Sequence, residues 1–164
     1  MNVGTVFAAL DRNAREIESL IEAGDATLTR RAPAISAWSI SEQLDHTLKV
    51  RRSIFEVLLS EPEPLPGGMN LLGRMAFIAG WIPRGMGKSP ERLRGQPKSD
   101  VELRRALAST AEPYGRLRAA EAILSNPARV LPHPRFGGLR ALEALRFTDI
   151  HDRHHLKLIR DIQR

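Results

Sequence analysis

The chain has 164 residues, of which 42% are hydrophobic and 27% charged, and it carries a net charge of +6. That length suits one domain with a real core, 1–164, and that balance excludes a disordered chain. Cysteine is absent, which excludes disulfides, thiolate metal sites and a cysteine nucleophile, and suits a reducing cytosol. With aromatics at only 5%, aliphatic side chains are expected to fill most of the core.

The opening Met1-Asn2-Val3-Gly4 runs straight into a mixed polar and apolar pattern, unlike a secretory signal. Helical periodicity then covers about Thr5 to Thr29, with Val6, Leu10, Ile17, Leu20, Ile21 and Leu28 as its apolar positions. Ala32-Pro33-Ala34 breaks it. A second helix is predicted from about Ser39 to Ser60. It opens on Ser39-Ile40-Ser41-Glu42, a capping box in which the serine hydroxyl takes a free helix amide and the glutamate reaches back. Pro62, Pro64, Pro66, Gly67 and Gly68 forbid its continuation.

The most apolar stretch, Met69–Ile82, reads as a short extra helix lying across the others. It falls short of the roughly 20 residues that span a bilayer and contains Arg74, so the chain is expected to be soluble and cytoplasmic, without a membrane partner. Arg84, Lys88, Arg92, Arg94 and Lys98 follow against one Glu91. Without interleaved aromatics to stack bases, this block reads as a solvated loop, and nucleic-acid binding is the minor reading. Ser99-Asp100-Val101-Glu102 is a second capping box that opens a third helix reaching about Leu124, with a kink expected at Pro113 or Gly115. A fourth helix is predicted from Leu139 to about Ile162, after Gly137-Gly138. No alternating β-branched run of strand length is present. The expected fold is therefore all-α: a four-helix bundle with a long crossover connection at 61–98.

The chain has five histidines, His46, His133, His151, His154 and His155. His151 and His155 stand at i and i+4, which places both imidazoles on one helix face with Cβ atoms about 5–6 Å apart. That face also carries Ala144, Thr148, Leu158 and Ile162, so it points to the core. Two such nitrogens reach one zinc at about 2.0–2.1 Å. The same spacing also fits surface or hydrogen-bonded core histidines, and His154 pairs with His151 at i, i+3. His46 lies mid-way along the second helix, on a half-polar strip with Glu42, Gln43, Val50, Ser53 and Val57. A third imidazole there would complete a set that leaves a coordination position open.

Two blocks resemble a known family. Trp38-Ser39-Ile40-Ser41-Glu42-Gln43-Leu44-Asp45-His46 is similar to the Trp-Ser-x-x-Glu-x-x-x-His opening of the DinB/YfiT-like superfamily. His133-Pro134-Arg135-Phe136-Gly137-Gly138-Leu139, followed by His151-Asp152-Arg153-His154-His155, resembles the His-Pro-x-Phe-Gly stretch and His-x-x-x-His helix of one DinB-like branch. The resemblance implies a four-helix bundle with a long crossover and a three-histidine metal site at His46, His151 and His155. It implies a divalent ion such as zinc, nickel or manganese, and a homodimer. It also implies chemistry such as thiol S-transfer or isomerisation with a low-molecular-weight thiol of the bacillithiol or mycothiol kind. With no cysteine in the chain, that thiol must come from outside. A thiol bound to the ion would be held as thiolate. A water there would serve hydrolysis instead. A non-catalytic bundle using metal for stability or dimerisation is the alternative.

Around this centre, Glu42 has two readings, the capping box and a place beside the metal ligands. Asp45 and Asp149 are candidates to orient ligand imidazoles, with solvated carboxylates as the plainer reading. Trp38 reads as a staple for the second helix. His133 caps a helix end or contacts a substrate near the mouth of the metal site, and His154 stands as a further pocket residue. Met69, Met75, Phe77 and Trp81 wall a pocket, form a dimer face or pack in the core.

Overall fold

The structure is a computed structural model that describes residues 2–85 and 89–164. Helix α1 runs Val3–Glu22, capped by the Asn2 side chain on the Thr5 amide. The predicted first helix extended to Thr29. Gly24, at φ +79°, ends that continuity, and Asp25–Leu28 forms a separate turn of helix, α2. Helix α3 spans Ile40–Leu59, and the predicted capping box is present: Ser39 accepts from the Glu42 amide, and Glu42 accepts from the Ser39 N–H.

Helix α4, Leu71–Ala79, is the predicted short extra helix. Its Asn70 cap accepts from Gly73 N–H and donates to Arg135 O. The Asn70 amide also donates to Phe136 O, so α4 is tied to the loop before the last helix. A 3-10 turn at Glu91–Leu93 follows in the crossover. Lys88, assigned to the basic loop, lies outside the described residues.

The predicted third long helix is three pieces: α5 Asp100–Ala108, α6 Ala111–Ala119 and α7 Glu121–Ser125. The first break falls at Ser109-Thr110, ahead of Pro113. Pro113 lies in the first turn of α6, where its missing N–H costs no helix bond. Ala120, at φ −100° and ψ 64°, makes the second break.

Strands were not expected, yet β1 Arg129–His133 and β2 Gly137–Arg140 pair antiparallel with an irregularity between Arg129 and Leu131. The hairpin is short and carries Pro132, so it has no alternation for a sequence pattern to show. It takes Leu139 and Arg140 from the predicted fourth helix, and α8 spans Ala141–Gln163.

The bundle closes as a ring of neighbours: α1 against α8, α8 against α3, α3 against α5 and α6, and α5 back against α1. This is the all-α architecture the sequence implied. The core has two parts. One holds all five phenylalanines, with Val6 and Leu10 of α1, Ile54 and Leu58 of α3, and Leu145 and Ile150 of α8. The other is aliphatic, with Ile17 and Ile21, Leu44 and Leu48, and Leu156 and Ile159. Each such side chain, fully buried, contributes about 1.5–3 kcal/mol relative to exposure.

Between the two parts lies a polar layer. Asn13 of α1 donates to Asp149 of α8, and Arg51 of α3 meets Asp152 of α8 at 2.6 Å with both side chains buried. Burial raises the Asp152 carboxyl to about 6, even with the Arg51 guanidinium beside it. Removing one partner of such a pair leaves the other charge uncompensated in the core, at about 3–5 kcal/mol. Asp152→Asn is therefore expected to lose about 3 kcal/mol in urea unfolding at neutral pH. A loss below about 1 kcal/mol would show that the pair does not brace α3 against α8.

Candidate metal centre

His46 projects from α3, and His151 and His155 from successive turns of α8, at the polar layer. All three imidazoles are buried, and one ring nitrogen of each lies within 4.8 Å of the others. His46 Nε2 and His151 Nε2 are 3.1 Å apart. Two nitrogens on one tetrahedral zinc stand about 3.3 Å apart, so this spacing fits a shared ion.

The outer nitrogens are held by the protein. His46 Nδ1 donates to the Leu93 carbonyl at 2.6 Å. His155 Nδ1 donates to Gln43 Oε1 at 2.5 Å, while Gln43 Nε2 donates to Ser36 Oγ. A carbonyl oxygen only accepts, so both rings carry their proton on Nδ1 and turn a lone pair on Nε2 toward the centre. His151 Nδ1 is buried without a hydrogen-bond partner among the described residues. Burial is the main cause that holds all three rings neutral, below the ordinary histidine range. Leu93 opposes it at His46, and neighbouring imidazoles add to it at His151 and His155. Neutral imidazoles with inward lone pairs are what a divalent ion requires.

The Leu93 contact depends on a glycine. A Cβ at Gly95 would stand 2.1 Å from the Glu42 carbonyl oxygen. Only glycine lets the crossover lie this close to the start of α3 and bring Leu93 over His46.

The triad borders a cavity of about 870 Å3. Trp38 is part of its wall, edge-on to His46 at 5.1 Å and stacked toward His155 at 6.4 Å between centroids. The staple reading of Trp38 is thus extended, because its ring sits against two imidazoles. His154 also lines the cavity. Its Nδ1 donates to the Ile82 carbonyl at 3.0 Å, and it stays outside the triad. His133 lines the same cavity from the end of β1, with Nδ1 accepting from the Arg135 and Phe136 amides.

Glu42 is placed otherwise than as a neighbour of the ligands. Its carboxylate holds the capping box and pairs with Arg31, and it does not line the cavity. Asp45 pairs with Lys49 and accepts from the Gln96 amide. Asp149 takes Asn13 and Arg153. Neither carboxylate bonds a triad imidazole; Leu93 O and Gln43 Oε1 do. A backbone carbonyl leaves no sequence signal, whereas Gln43, one helical turn before His46, did lie on the marked strip. In the basic loop, Arg84 pairs with Asp161, Arg94 with Glu91 and Lys98 with Glu102.

Residues 9–159 match the DinB superfamily. The chain belongs to the DinB superfamily. Comparisons with curated proteins and with solved structures find no match. For this DinB-superfamily chain, the family and the three-histidine group together fit a metal-binding protein.

Acid should expose the buried imidazoles' neutrality. In the unfolded chain they protonate near about 6.5. In the folded chain burial keeps them neutral below that, and His133 is pushed down to about 4 by burial and Arg135. Below about pH 6.5 the unfolded state thus binds more protons, and the unfolding free energy falls as pH drops. Urea titrations of chelator-treated protein are expected to show stability declining steadily from about pH 6.5 to about pH 5. A level profile over that range would contradict neutral, buried rings.

Proposed function

We propose that this chain binds one divalent metal ion through His46, His151 and His155. We further propose that it is a cytoplasmic, single-domain, metal-dependent enzyme, a thiol S-transferase or hydrolase acting on a small molecule in the adjoining cavity. The observation that carries this reading is the pairing of His46 Nε2 with His151 Nε2 at 3.1 Å beside a cavity of about 870 Å3. A closed structural site has four protein ligands, whereas three imidazoles leave a position free. The cavity gives that position room for a reactant.

An ion bound there would lower the pKa of a thiol or water in the free position. The chain's own residues supply the rest. Leu93 O and Gln43 Oε1 orient His46 and His155. Trp38, Phe147 and Ile54 give the cavity apolar walls that strip water from a reactant. His154, protonated at Nδ1 by its bond to Ile82 O, offers Nε2 as an acceptor at the wall. With no cysteine in the chain, a thiol nucleophile is a separate low-molecular-weight molecule.

A second reading is a metal-stabilised bundle that self-associates as a homodimer. The face of α4 favours it: Leu71, Met75 and Ile78 are 74%, 60% and 86% exposed. Thiol binding to metal-loaded protein decides for the first reading, and stabilisation by metal without any thiol or substrate binding decides for the second.

Elemental analysis after zinc loading and desalting is expected to give about one ion per chain, with loss of that ion in His46→Ala, His151→Ala and His155→Ala. Gln43→Ala, which leaves the His155 Nδ1–H unpaired, is expected to weaken metal affinity about 10–100-fold. Undiminished metal content in the histidine variants would refute the site.

A further inference from the structure

His133 has an environment that fixes its chemistry. Its Nδ1 accepts two backbone N–H groups, from Arg135 at 3.2 Å and Phe136 at 3.1 Å. A ring nitrogen that accepts carries no proton, so the neutral ring carries it on Nε2. The ring lies stacked on Phe136 at 4.3 Å and edge-on to Phe147 at 4.5 Å between centroids, which holds its plane. Phe147 in turn touches His151 at 5.5 Å. Nε2 has no hydrogen-bond partner among the described residues and is not fully buried, and His133 is one of the residues that line the cavity. The result is a rigid N–H donor on the wall of the chamber that the three histidines border.

The neighbouring charges decide what such a donor meets. Arg92 and Arg135 line the cavity without an ion-pair partner among the described residues, and Arg94 shares only the distant Glu91, 3.8 Å away. Among the described residues, Glu91 is the only carboxylate in the lining. A positive mouth and a neutral donor inside it suit a reactant bearing a negatively charged oxygen. The neutral ring donates without the desolvation cost of a second buried cation.

We propose that His133 is a specificity-determining residue whose Nε2–H donates to an anionic oxygen, carboxylate or phosphate, of the molecule bound at the three-histidine centre. This rests on the metal-site reading and adds the class of reactant to it.

The test uses cobalt-loaded full-length chain, whose visible absorption reports thiol binding, with mercaptoacetate, 2-mercaptoethanol and thiophosphate as probes. His133→Asn keeps an oxygen that can accept from the Arg135 and Phe136 amides, and replaces the ring's Nε2–H with a shorter amide that does not reach its position. Wild type is expected to prefer an anionic probe over 2-mercaptoethanol by about 10-fold, and His133→Asn to lose most of that preference. Affinity for cobalt and for 2-mercaptoethanol should stay unchanged. The favoured anion, mercaptoacetate or thiophosphate, tells carboxylate from phosphate. Equal weakening of the charged and neutral thiols, or no preference in wild type, would overturn the proposal. Failure of wild type to take up cobalt would instead overturn the metal-site reading. Nitrogen NMR of the metal-free chain gives a separate check: a proton on Nδ1 of His133 rather than Nε2 overturns the proposal whatever the metal does.

Discussion

Arg51 and Asp152 meet at 2.6 Å inside the bundle, and both side chains are buried. Arg51 lies five residues beyond His46 on α3, and Asp152 follows His151 directly on α8. The pair therefore fixes the register of the two helices that bring the imidazoles together. Buried ion pairs are weak sources of net stability, because desolvation offsets their attraction. What this one supplies is position. An apolar pair of the same volume would let α3 and α8 slide with less penalty, and a shift of about 1 Å would spoil a spacing of 3.1 Å between two nitrogens.

Around that fixed register, the protein sets the proton positions of its histidines with carbonyl and amide groups rather than carboxylates. Leu93 O, Gln43 Oε1 and Ile82 O place protons on Nδ1 of His46, His155 and His154, and the Arg135 and Phe136 amides place the His133 proton on Nε2. Most of these partners belong to the crossover and the hairpin, outside the long helices. The helices thus supply every one of these imidazoles but that of His133, which stands at the end of β1, and the irregular segments largely decide which atoms they present. The direct partners of the rings are neutral, and the nearby Asp45 carboxylate acts on His46 only through space, against the larger effect of burial. Burial then holds the imidazoles neutral, as metal binding requires.

The sequence made the helix starts legible because capping boxes are local: Ser39 with Glu42, and Ser99 with Glu102, hold as their spacing implied. The grouping of His46, His151 and His155 was legible from helical phase together with the family motifs. The hairpin was not, because Pro132 and its shortness erase alternation. The break at Ser109-Thr110 was displaced from Pro113 because a proline in a first turn starts a helix as readily as it ends one. The Arg51–Asp152 pair was not anticipated, although both residues fall in phase with core positions: Arg51 between Leu48 and Ile54, and Asp152 between Leu145 and Leu156. A charge in helical phase with core residues was the available signal. The Leu93 carbonyl had no signal at all, because any residue supplies a carbonyl there.

X-ray absorption of the zinc-loaded chain bears on the proposal that three imidazoles, and no other protein group, share one ion and leave a position open. Three imidazole nitrogens at about 2.0–2.1 Å, with one further light atom that is replaced by sulfur at about 2.3 Å when a thiol is added, would agree with the claim. Four imidazoles, or a shell of oxygens without the imidazole signature, would contradict it.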